Sequence, residues 1–525
     1  MNTLSALKAP MFPKTHSTTQ VSENQATGRV GRSLQAFDSR NSGRIFVSAT
    51  TVFAAVLRLL YLDKKSFWLD EIISVSIAKL DGAGFRNIVM SWEANMALYY
   101  ALLRLWWHIG QSEFAVRLLS VIPAIATVPL IYLLGCQLFS RQVGIVATLL
   151  LAVNAFHIRY SQEARSYSLY LFVVVLACWF YVEAVTQGAE EKSVHRHWIA
   201  LGLAATLAIY SHFFAALMLA VFWGAPTLSP VRRRFPWKPL LLTTVAIAVA
   251  TLPLGLFLIL KDKGQMDWVP PFRLRQLYDL FALLSGRGGM VLLLLCGAGL
   301  LIALWDTAAS WRTRVQAVES WNYDFVWTWL LLPLLLTIGI SLVKPMFVPR
   351  FLLLCLPPFL LLVAAGLWSI QPKWLRMTAL LVLIGLSVRG VVSYYQTGFD
   401  PPEQDWRGVV HYVLSDAEPG DAIFFYHPLA RLPWEYYSAR SVRSDEHPVP
   451  AVIFPLRGDA RLLKGVPLSI EPLIQAPTQY HRLWLVQNYG PDTFTKKTQI
   501  ALGKNYLVAK RREFGIIRVI LFEKR

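Results

Sequence analysis

The sequence predicts a mainly α-helical protein: a polytopic membrane bundle of about eleven spans, followed by a small extracytoplasmic α/β domain. Two observations support this prediction. The 525 residues are 55% hydrophobic and only 16% charged, whereas a soluble domain usually has about 25% charged residues. Many apolar stretches also reach the roughly 17–25 residues that cross a hydrocarbon core of about 30 Å.

The basic balance of the chain fits the same class of protein. Its net charge is +19. In membrane proteins, Lys and Arg collect in cytoplasmic loops and near lipid headgroups. The charge therefore indicates contact with membrane lipids, and no nucleic acid is predicted as a partner.

Neither the N-terminal segment nor the cysteines predict a functional site. Residues 1–42 are polar, basic and rich in Ser, Thr and Asn. They lack the apolar run of a cleavable signal peptide, which predicts a disordered cytoplasmic tail. The cysteines lie inside apolar runs without the spacing of a disulfide framework or a metal site, so we expect small core residues. They are Cys136, Cys178, Cys296 and Cys355.

The apolar runs within residues 43–397 predict the membrane domain. Their lengths place spans near residues 45–62, 113–138, 142–158, 167–187, 197–213, 214–228, 239–260, 289–305, 324–343, 350–369 and 377–395. The first outer loop then covers residues 63–112. Within it, Ala94–Gly110 is short and mixes Trp, His and Arg, which predicts an amphipathic helix on the membrane surface. If that segment spans instead, the orientation of everything after it reverses.

Loop charge orients the bundle in the cytoplasmic (inner) membrane. With the N-terminus in the cytoplasm, the short loops that are dense in Lys and Arg are cytoplasmic, as membrane proteins prefer. These loops contain Arg232–Arg234, Lys238, Arg312, Arg314, Lys373 and Arg376. An odd number of spans then places residues 398–525 outside the cytoplasm.

The composition changes after the last predicted span. Residues 398–525 contain frequent charges, Pro401–Pro402 and only short apolar runs. The stretch "WRGVVHYVLSDA" has helical spacing, whereas "DAIFFY", "HRLWLV" and "IIRVILFE" are typical of short strands. The segment predicts a small α/β domain, whose role the sequence leaves open.

Polar and ionisable residues concentrate at the predicted outer ends of the spans and in the outer loops. A charge at the bilayer centre costs at least about 2.5 kcal/mol, so an outward-facing cavity filled with water is the economical arrangement. The residues come from separate parts of the chain: Asp70, Glu71, Glu93, Asn95, Arg159, Gln162, Glu163, Arg165, His212, Lys344 and Arg350.

Several of these residues also have a purely structural interpretation. Asp70 can cap a helix that begins at Glu71, and Glu71 can simply be solvated. His212 can be a satisfied structural histidine. Arg350 can reach lipid headgroups instead of the phosphate of a ligand.

The stretch "HIRYSQEARSYSLY" is harder to explain by structure alone. On a helix, Glu163 lies four residues before Tyr167, and Ser161 lies four before Arg165. Two polar faces are unusual for an interfacial turn, which favours a functional interpretation.

Several segments together resemble the membrane glycosyltransferases with the GT-C fold. The branch is similar to glycosyltransferase family 39, with bacterial relatives of protein O-mannosyltransferases and of the lipid A aminoarabinose transferase. In order, the segments are "WLDE" (Trp68–Glu71), "EANMALYYALLRLW" (Glu93–Trp106), "SEFAVRLLSVIPAIATVPLIYLLG" (Ser112–Gly135), "HIRYSQEARSYSL" (His157–Leu169), "YSHFF" (Tyr210–Phe214) and "PRFLLLCLPP" (Pro349–Pro358). A looser resemblance continues into "PGDAIFFYHPLARLPWEYY" (Pro419–Tyr437).

One departure affects the outer loop. The family usually has Pro-Pro before its Leu-Tyr-Tyr, where this chain has "NMALYY". The change alters how the interfacial helix starts, which leaves open the placement of Glu93 and Asn95 and the acceptor specificity.

The resemblance implies transfer of a sugar from a polyprenyl-phosphate carrier to a protein, lipid A or glycan acceptor at the outer membrane face. The catalytic residues would be Asp70, as general base, and Glu71 beside it. Arg350, Arg165 and Lys344 would stabilise the leaving phosphate. The implied substrate-binding residues are Glu93, Asn95, Tyr99, Tyr160, Gln162, Glu163, Arg165, Tyr167, His212, Lys344 and Arg350.

No cofactor has a defined site in the sequence. Some related transferases use a divalent metal ion, and Asp70, Glu71 and His212 have suitable ligand atoms. The sequence does not show that these three residues converge.

Two other classes of protein would also place charges in a membrane bundle. A transporter or flippase of a glycolipid or another envelope precursor tends to have midplane charges on broken helices in repeated halves. Here the charges lie at one end of the spans, and no repeat is visible. An envelope assembly protein would bind partners through its C-terminal domain and would not need acidic loop residues.

Overall fold

The chain forms two compact units, each built from separate stretches of sequence. A computed structural model describes residues 26–186, 193–229, 232, 235–261, 266–313, 317–397, 404–441, 448–456, 471–476, 479–488, 498 and 500–525. The helical unit contains the described residues up to Leu60, Ser120–Gln162 and Ser166–Tyr395. The loop unit contains Tyr61–Leu119, Glu163–Arg165 and the described residues from Gln396 onward.

Sixteen α-helices precede the C-terminal domain in the described part of the chain. They are α1 (Ala26–Leu59), α2 (Leu69–Lys79), α3 (Gly82–Ser91), α4 (Ala97–Trp106), α5 (Glu113–Leu138), α6 (Arg141–Ala152), α7 (Ala155–Ser161), α8 (Tyr167–Thr186), α9 (Ser193–Ser211), α10 (Leu217–Leu228), α11 (Trp237–Lys261), α12 (Arg275–Leu284), α13 (Met290–Thr313), α14 (Ala317–Ser341), α15 (Leu356–Ser369) and α16 (Lys373–Thr397). Of the predicted N-terminal tail, residues 1–25 lie outside the described residues, and residues 26–42 belong to α1.

Seven helical segments are long and apolar enough to cross a membrane, among the residues that the structure describes. These are α5, α8, α11, α13, α14, the segment Pro349–Ser369 that ends with α15, and α16. Helices α6 and α7 are bent by 59° at a short break and make an eighth if they form one broken span. The protein is therefore a multi-pass membrane protein, as its composition predicts.

The predicted count of about eleven spans is not confirmed. The spans predicted at 45–62, 197–213 and 214–228 correspond to α1, α9 and α10. Helix α10 has 12 residues and is therefore only about 18 Å long. Helices α1 and α9 are not among the helices of the described residues that are long and apolar enough to cross a membrane.

The ambiguous segment 94–110 is too short to span. It consists of a 3₁₀ turn (Ala94–Met96) and the ten-residue helix α4, about 15 Å long. Helix α4 packs against α2. Near its end, the Arg104 guanidinium donates to the Ala78 carbonyl oxygen at 3.2 Å and to that of Leu80.

Two side chains stabilise the break between α6 and α7. Asn154 caps α7 by accepting a hydrogen bond from the His157 amide at 3.0 Å. Arg58 is fully buried and donates to the Ala152 and Leu151 carbonyl oxygens at 3.2 and 3.1 Å. These are terminal carbonyls of α6, which lack the amide donor of a following helical turn, and the Leu151 oxygen also accepts from the Asn154 amide at 3.3 Å. The arginine therefore satisfies the backbone that the break exposes.

The C-terminal domain is the α/β fold that the sequence predicts. Its elements are α17 (Trp406–Asp416), β1 (Ala422–Phe425), α18 (Arg431–Ser441), β2 (Ala451–Phe454), α19 (Glu471–Gln475), β3 (Arg482–Gln487), β4 (Tyr506–Phe514) and β5 (Ile517–Lys524). The strand order is β2-β1-β3-β5-β4. Strand β1 runs parallel to β2 and β3, whereas β5 is antiparallel to β3 and β4. Phe424, Leu485 and Phe522 are among the residues of its apolar core.

The cysteines behave largely as the sequence predicts. All four are free thiols. Cys178, Cys296 and Cys355 are buried, and Cys136 is partly exposed.

Candidate active site

The first candidate residues lie at the start of α2. The helix begins at Leu69, with Trp68 as its N-cap residue. Asp70 therefore lies inside the first turn, and the alternative in which it caps a helix starting at Glu71 is wrong. The cap is made by Glu71, whose Oε2 accepts a hydrogen bond from the Trp68 amide at 3.3 Å.

Glu71 is buried in an ion pair with Arg117. Its side chain is 1% exposed. Arg117 Nε donates to Oε1 at 2.8 Å and Nη2 donates to Oε2 at 2.7 Å. Oε1 also accepts from the Ala164 amide at 2.8 Å. With the bond from the Trp68 amide, the carboxylate accepts four hydrogen bonds, so Glu71 is not simply solvated.

Arg117 uses all five of its N–H donors. Besides the two bonds to Glu71, Nη1 donates to the Leu62 and Lys65 carbonyl oxygens, both at 2.8 Å. Nη2 also donates to the Ser66 carbonyl oxygen at 3.1 Å. The guanidinium therefore fixes the turn before α2 as well as the carboxylate within the helix.

Sequence reasoning did not identify Arg117 as a site residue. The sequence did contain a signal, because an arginine one turn after the start of an apolar helix requires a polar or charged partner. The residue lies in the quoted segment "SEFAVRLLSV". Its partner could not be named, because Glu71 lies 46 residues away in the chain.

Asp70 has a different environment from its neighbour. Its side chain is 26% exposed, and one carboxylate oxygen lies 3.9 Å from Arg165 Nη2. Arg165 Nη1 donates to the Asp70 carbonyl oxygen at 3.2 Å and to Ser74 Oγ at 3.3 Å. The arginine is thereby held along the first turns of α2, with its positive charge beside a carboxylate that solvent can reach.

Arg165 belongs to a turn and not to a helix. Helix α7 ends at Ser161 and α8 begins at Tyr167. The predicted helical pairing of Glu163 with Tyr167, and of Ser161 with Arg165, is therefore wrong. The turn is tightened by a hydrogen bond from the Arg165 amide to the Glu163 carbonyl oxygen at 2.7 Å. Because a turn replaces the helix, Ala164 can present its amide to Glu71.

Glu93 is the third carboxylate of this cluster. The Tyr100 hydroxyl donates to its Oε2 at 3.2 Å. Burial raises the pKa of Glu93, and the nearby charge of Arg165 opposes that shift only in part. Burial also raises the pKa of Tyr100 well above its usual value, so the phenol stays a donor. Asn95 and Tyr99 follow in the 3₁₀ turn and in α4, where Tyr99 is fully buried.

Three further candidates are aromatic neighbours in the helical unit. Tyr160 packs edge-on against Tyr167, with ring centroids 5.0 Å apart. His212 lies 6.0 Å from Tyr167 and 4.8 Å from Phe351, measured between ring centroids. His212 is buried, and its Nδ1 accepts from the Phe214 amide at 3.3 Å. These contacts favour the structural interpretation of His212.

Gln162 joins three helical segments of the same unit. Its side-chain amide donates to the Arg58 and Leu60 carbonyl oxygens at 3.1 and 2.8 Å. Its Oε1 accepts from the Tyr394 hydroxyl at 2.9 Å. Both ends of the side chain are therefore used for structure.

Lys344 and Arg350 lie between α14 and α15. The Lys344 side chain is exposed. The Arg350 guanidinium lies 5.3 Å from the Trp268 ring centroid, which is a cation–π distance.

The described residues contain no group of three or more His, Cys, Asp or Glu side chains that could hold a metal ion. The sequence leaves metal dependence open, and a metal-depletion assay tests it.

One family model matches part of this chain. The model of a family described as dolichyl-phosphate-mannose-protein mannosyltransferase matches residues 96–256. No curated protein matches the chain by sequence comparison.

Solved structures share the fold at low sequence identity. The apo crystal structure of ArnT from Cupriavidus metallidurans has a TM-score of 0.61 at 11% identity, covering 92% of this chain and 98% of that one. The same ArnT bound to undecaprenyl phosphate has a TM-score of 0.57 at 11% identity, covering 90% and 97%. Arabinofuranosyltransferase AftD from Mycobacteria has a TM-score of 0.50 at 14% identity, covering 91% and 41%. These similarities confirm the architecture that the sequence segments resemble.

Proposed function

We propose, on the premise that this chain has the GT-C fold of membrane glycosyltransferases, that it transfers a sugar from a polyprenyl-phosphate donor to an acceptor. The reaction takes place at the outer face of the cytoplasmic membrane, with Asp70 as general base. The observation that most supports this proposal is the contrast between two adjacent carboxylates. Glu71 is sequestered by Arg117, whereas Asp70 is partly exposed next to Arg165.

The donor class is supported by the comparisons and by chemistry. The matching family model is named for transfer of mannose from dolichyl phosphate, and ArnT has been solved with undecaprenyl phosphate. Nucleotide sugars are absent outside the cytoplasm, so an activated sugar there must be supplied by the membrane. A lipid phosphate is then the leaving group.

The chemical step is one displacement. The acceptor hydroxyl oxygen forms a bond to the anomeric carbon while Asp70 takes its proton, which contributes about 10²–10⁴-fold to the rate. The bond from the anomeric carbon to the phosphate oxygen breaks, and the lipid phosphate leaves with the electron pair. A single displacement inverts the anomeric centre, so a product of retained configuration would contradict this mechanism.

Cationic residues stabilise the charge that develops on the phosphate. Arg165 beside Asp70 is one such group, and Arg350 and Lys344 of the helical unit are the others. Glu93 and Glu163 orient the acceptor or the sugar, with Asn95 and Tyr99 nearby in the sequence. Glu71 acts indirectly, because its hydrogen bonds hold the first turn of α2 on which Asp70 lies.

The test is turnover of a labelled donor by the purified protein in lipid. Polyprenyl-phosphate sugars labelled in the sugar are supplied with and without candidate acceptors, and release of the label is followed. Asp70→Asn should lower the rate by about 10²–10⁴-fold. Asp63→Asn is the matched control, because Asp63 is an exposed carboxylate of the same loop, and it should leave the rate unchanged.

Two outcomes would contradict the proposal. Equal rates for wild type and Asp70→Asn would remove Asp70 as the base. Transbilayer movement of the intact lipid without any release of sugar would indicate a flippase instead of a transferase.

A further inference from the structure

Three consecutive backbone amides precede Asp70, and each donates a hydrogen bond to a side chain. The Trp68 amide donates to Glu71. The Phe67 amide donates to the Tyr437 hydroxyl oxygen at 2.7 Å, and the Leu69 amide donates to Gln404 Oε1 at 3.1 Å. Two of the three acceptors therefore belong to the C-terminal part of the loop unit, more than 300 residues along the chain.

Gln404 is bonded to this turn from both its backbone and its side chain. Its carbonyl oxygen accepts from Ser66 Oγ at 2.7 Å. Ser66 Oγ in turn accepts from the Trp406 amide at 3.1 Å. Gln404 is buried, and its Oε1 also accepts from the Trp406 indole at 3.1 Å. Three hydrogen bonds thus join residues 404–406 to residues 66–69.

Tyr437 connects the same turn to α5. Its hydroxyl donates to Glu113 while it accepts from the Phe67 amide. Burial raises the pKa of Tyr437, so the hydroxyl keeps its proton and can make both bonds. The neighbouring Tyr436 packs edge-on against the Phe67 ring, with centroids 5.4 Å apart, and donates to the Gln111 carbonyl oxygen at 2.9 Å.

We infer that Gln404 and Tyr437 are positioning residues for Asp70, so that the C-terminal domain is part of the framework of the active site. This inference rests on the proposed function. The backbone of residues 67–69 leads directly into the turn of α2 that presents Asp70. A misplacement of about 1 Å in a reacting group can lower a rate by 10²-fold, so bonds that fix this backbone act on the chemical step.

This inference gives the C-terminal domain a role in positioning Asp70. A domain that only bound a partner would leave the chemistry at Asp70 insensitive to Gln404 and Tyr437. A positioning domain makes the rate depend on two hydrogen-bond acceptors that lie outside the first loop.

The test compares single side-chain substitutions in the full-length protein in lipid. Tyr437→Phe removes only the hydroxyl, and Gln404→Leu replaces the acceptor with an apolar group of similar size. Each should lower kcat roughly tenfold or more while the donor KM stays within roughly twofold. Tyr506→Phe is the matched control, because Tyr506 lies in the same domain and donates only to the Tyr480 carbonyl oxygen, at 2.8 Å. Gln404→Glu keeps an oxygen acceptor and should retain more activity than Gln404→Leu.

Hydrogen–deuterium exchange of the peptide covering residues 61–72 supplies a readout that needs no turnover. Tyr437→Phe and Gln404→Leu should speed exchange in this peptide, and Tyr506→Phe should not. Unchanged kcat in both variants overturns the inference, and so does a lower kcat with unchanged exchange.

The same experiment separates the two proposals. If the wild type releases sugar from no donor, the proposed function fails on that result alone. Exchange then decides the framework role: faster exchange at residues 61–72 supports it, and unchanged exchange overturns it.

Discussion

At the scale of single residues, adjacent carboxylates differ because of one arginine. Asp70 and Glu71 are neighbours in the chain, yet Arg117 pairs with the Glu71 carboxylate, whereas Asp70 lies beside Arg165 and is partly exposed. Buried ion pairs of this kind add little stability over an apolar pair, but removal of one partner leaves a charge without compensation.

Removal of Arg117 should therefore destabilise the fold more than removal of the whole pair. Arg117→Met should lower the free energy of unfolding by about 3–5 kcal/mol, because Glu71 is then buried alone. Arg117→Met combined with Glu71→Leu should recover part of that loss. Thermal unfolding in detergent measures both variants.

Arg407→Met provides the matched control for this pair. The Arg407 side chain is 47% exposed and that of its partner Glu113 is 12% exposed, so solvent can reach this pair, and removal of Arg407 should cost less stability than removal of Arg117. A double variant no more stable than Arg117→Met would contradict the argument.

The raised pKa of Glu93 predicts a pH dependence of stability. A carboxyl whose pKa is higher in the folded than in the unfolded protein holds its proton longer when folded. The stabilisation that the protonated Glu93 contributes is then greatest below the unfolded pKa of about 4.3. It is lost as pH rises through the pKa that Glu93 has in the folded protein. Glu93→Gln should remove this loss, so the melting temperatures of variant and wild type should diverge as pH rises. Parallel curves of melting temperature against pH for Glu93→Gln and wild type would contradict this prediction. Asp63→Asn is the control.

The sequence predicts the residue types of this site better than its contacts. "WLDE" and "YSQEARSYSL" identify Asp70 and Arg165, which the structure brings within 3.9 Å. The pairing of Glu71 with Arg117 could not be predicted, because it depends on how α2 and α5 pack.

At the scale of elements, the break between α6 and α7 shows how a side chain can replace helical hydrogen bonds. Asn154 both caps α7 and donates from Nδ2 to the Leu284 carbonyl oxygen at 2.9 Å. One side chain therefore fixes the start of a helix and its neighbour in the bundle.

Asn154→Ala should destabilise the protein through both bonds. Loss of an N-cap costs about 0.5–2 kcal/mol, and a buried carbonyl left without its donor adds about 1–3 kcal/mol. Ser140→Ala is the matched control, because Ser140 caps α6 by accepting from the Val143 amide without a second such bond to a neighbouring helix. Thermal unfolding in detergent should show the larger loss for Asn154→Ala, and equal losses would contradict it.

Strands are predicted from sequence only where they are buried. β1, β3 and β5 match the predicted stretches, because their apolar residues face the core. β4 is an edge strand whose residues are mostly exposed, and four of its nine residues are charged, so its sequence does not show the apolar pattern that predicts a strand. β2 has only four residues, too few for a clear alternation.

At the scale of the whole molecule, membrane orientation stays a prediction that labelling can test. Lys504 and Lys373 are both exposed, and the charge pattern places them on opposite sides of the membrane. Lys504→Cys should react with a membrane-impermeant maleimide in intact cells, whereas Lys373→Cys should react only after lysis. The opposite pattern would reverse the orientation. The native cysteines give little background, because three of the four are buried.

The three occupied amides before Asp70 have a consequence for how this protein can hold an anion. The N-terminus of a helix is usually an attractive seat for phosphate, because its free N–H groups and the helix macrodipole both favour negative charge. At α2, Tyr437, Glu71 and Gln404 already accept from the amides of residues 67–69. These three amides are thus occupied by the chain itself, so under the proposed function the charge of a lipid phosphate is balanced by side-chain cations such as Arg165 and not by these amides.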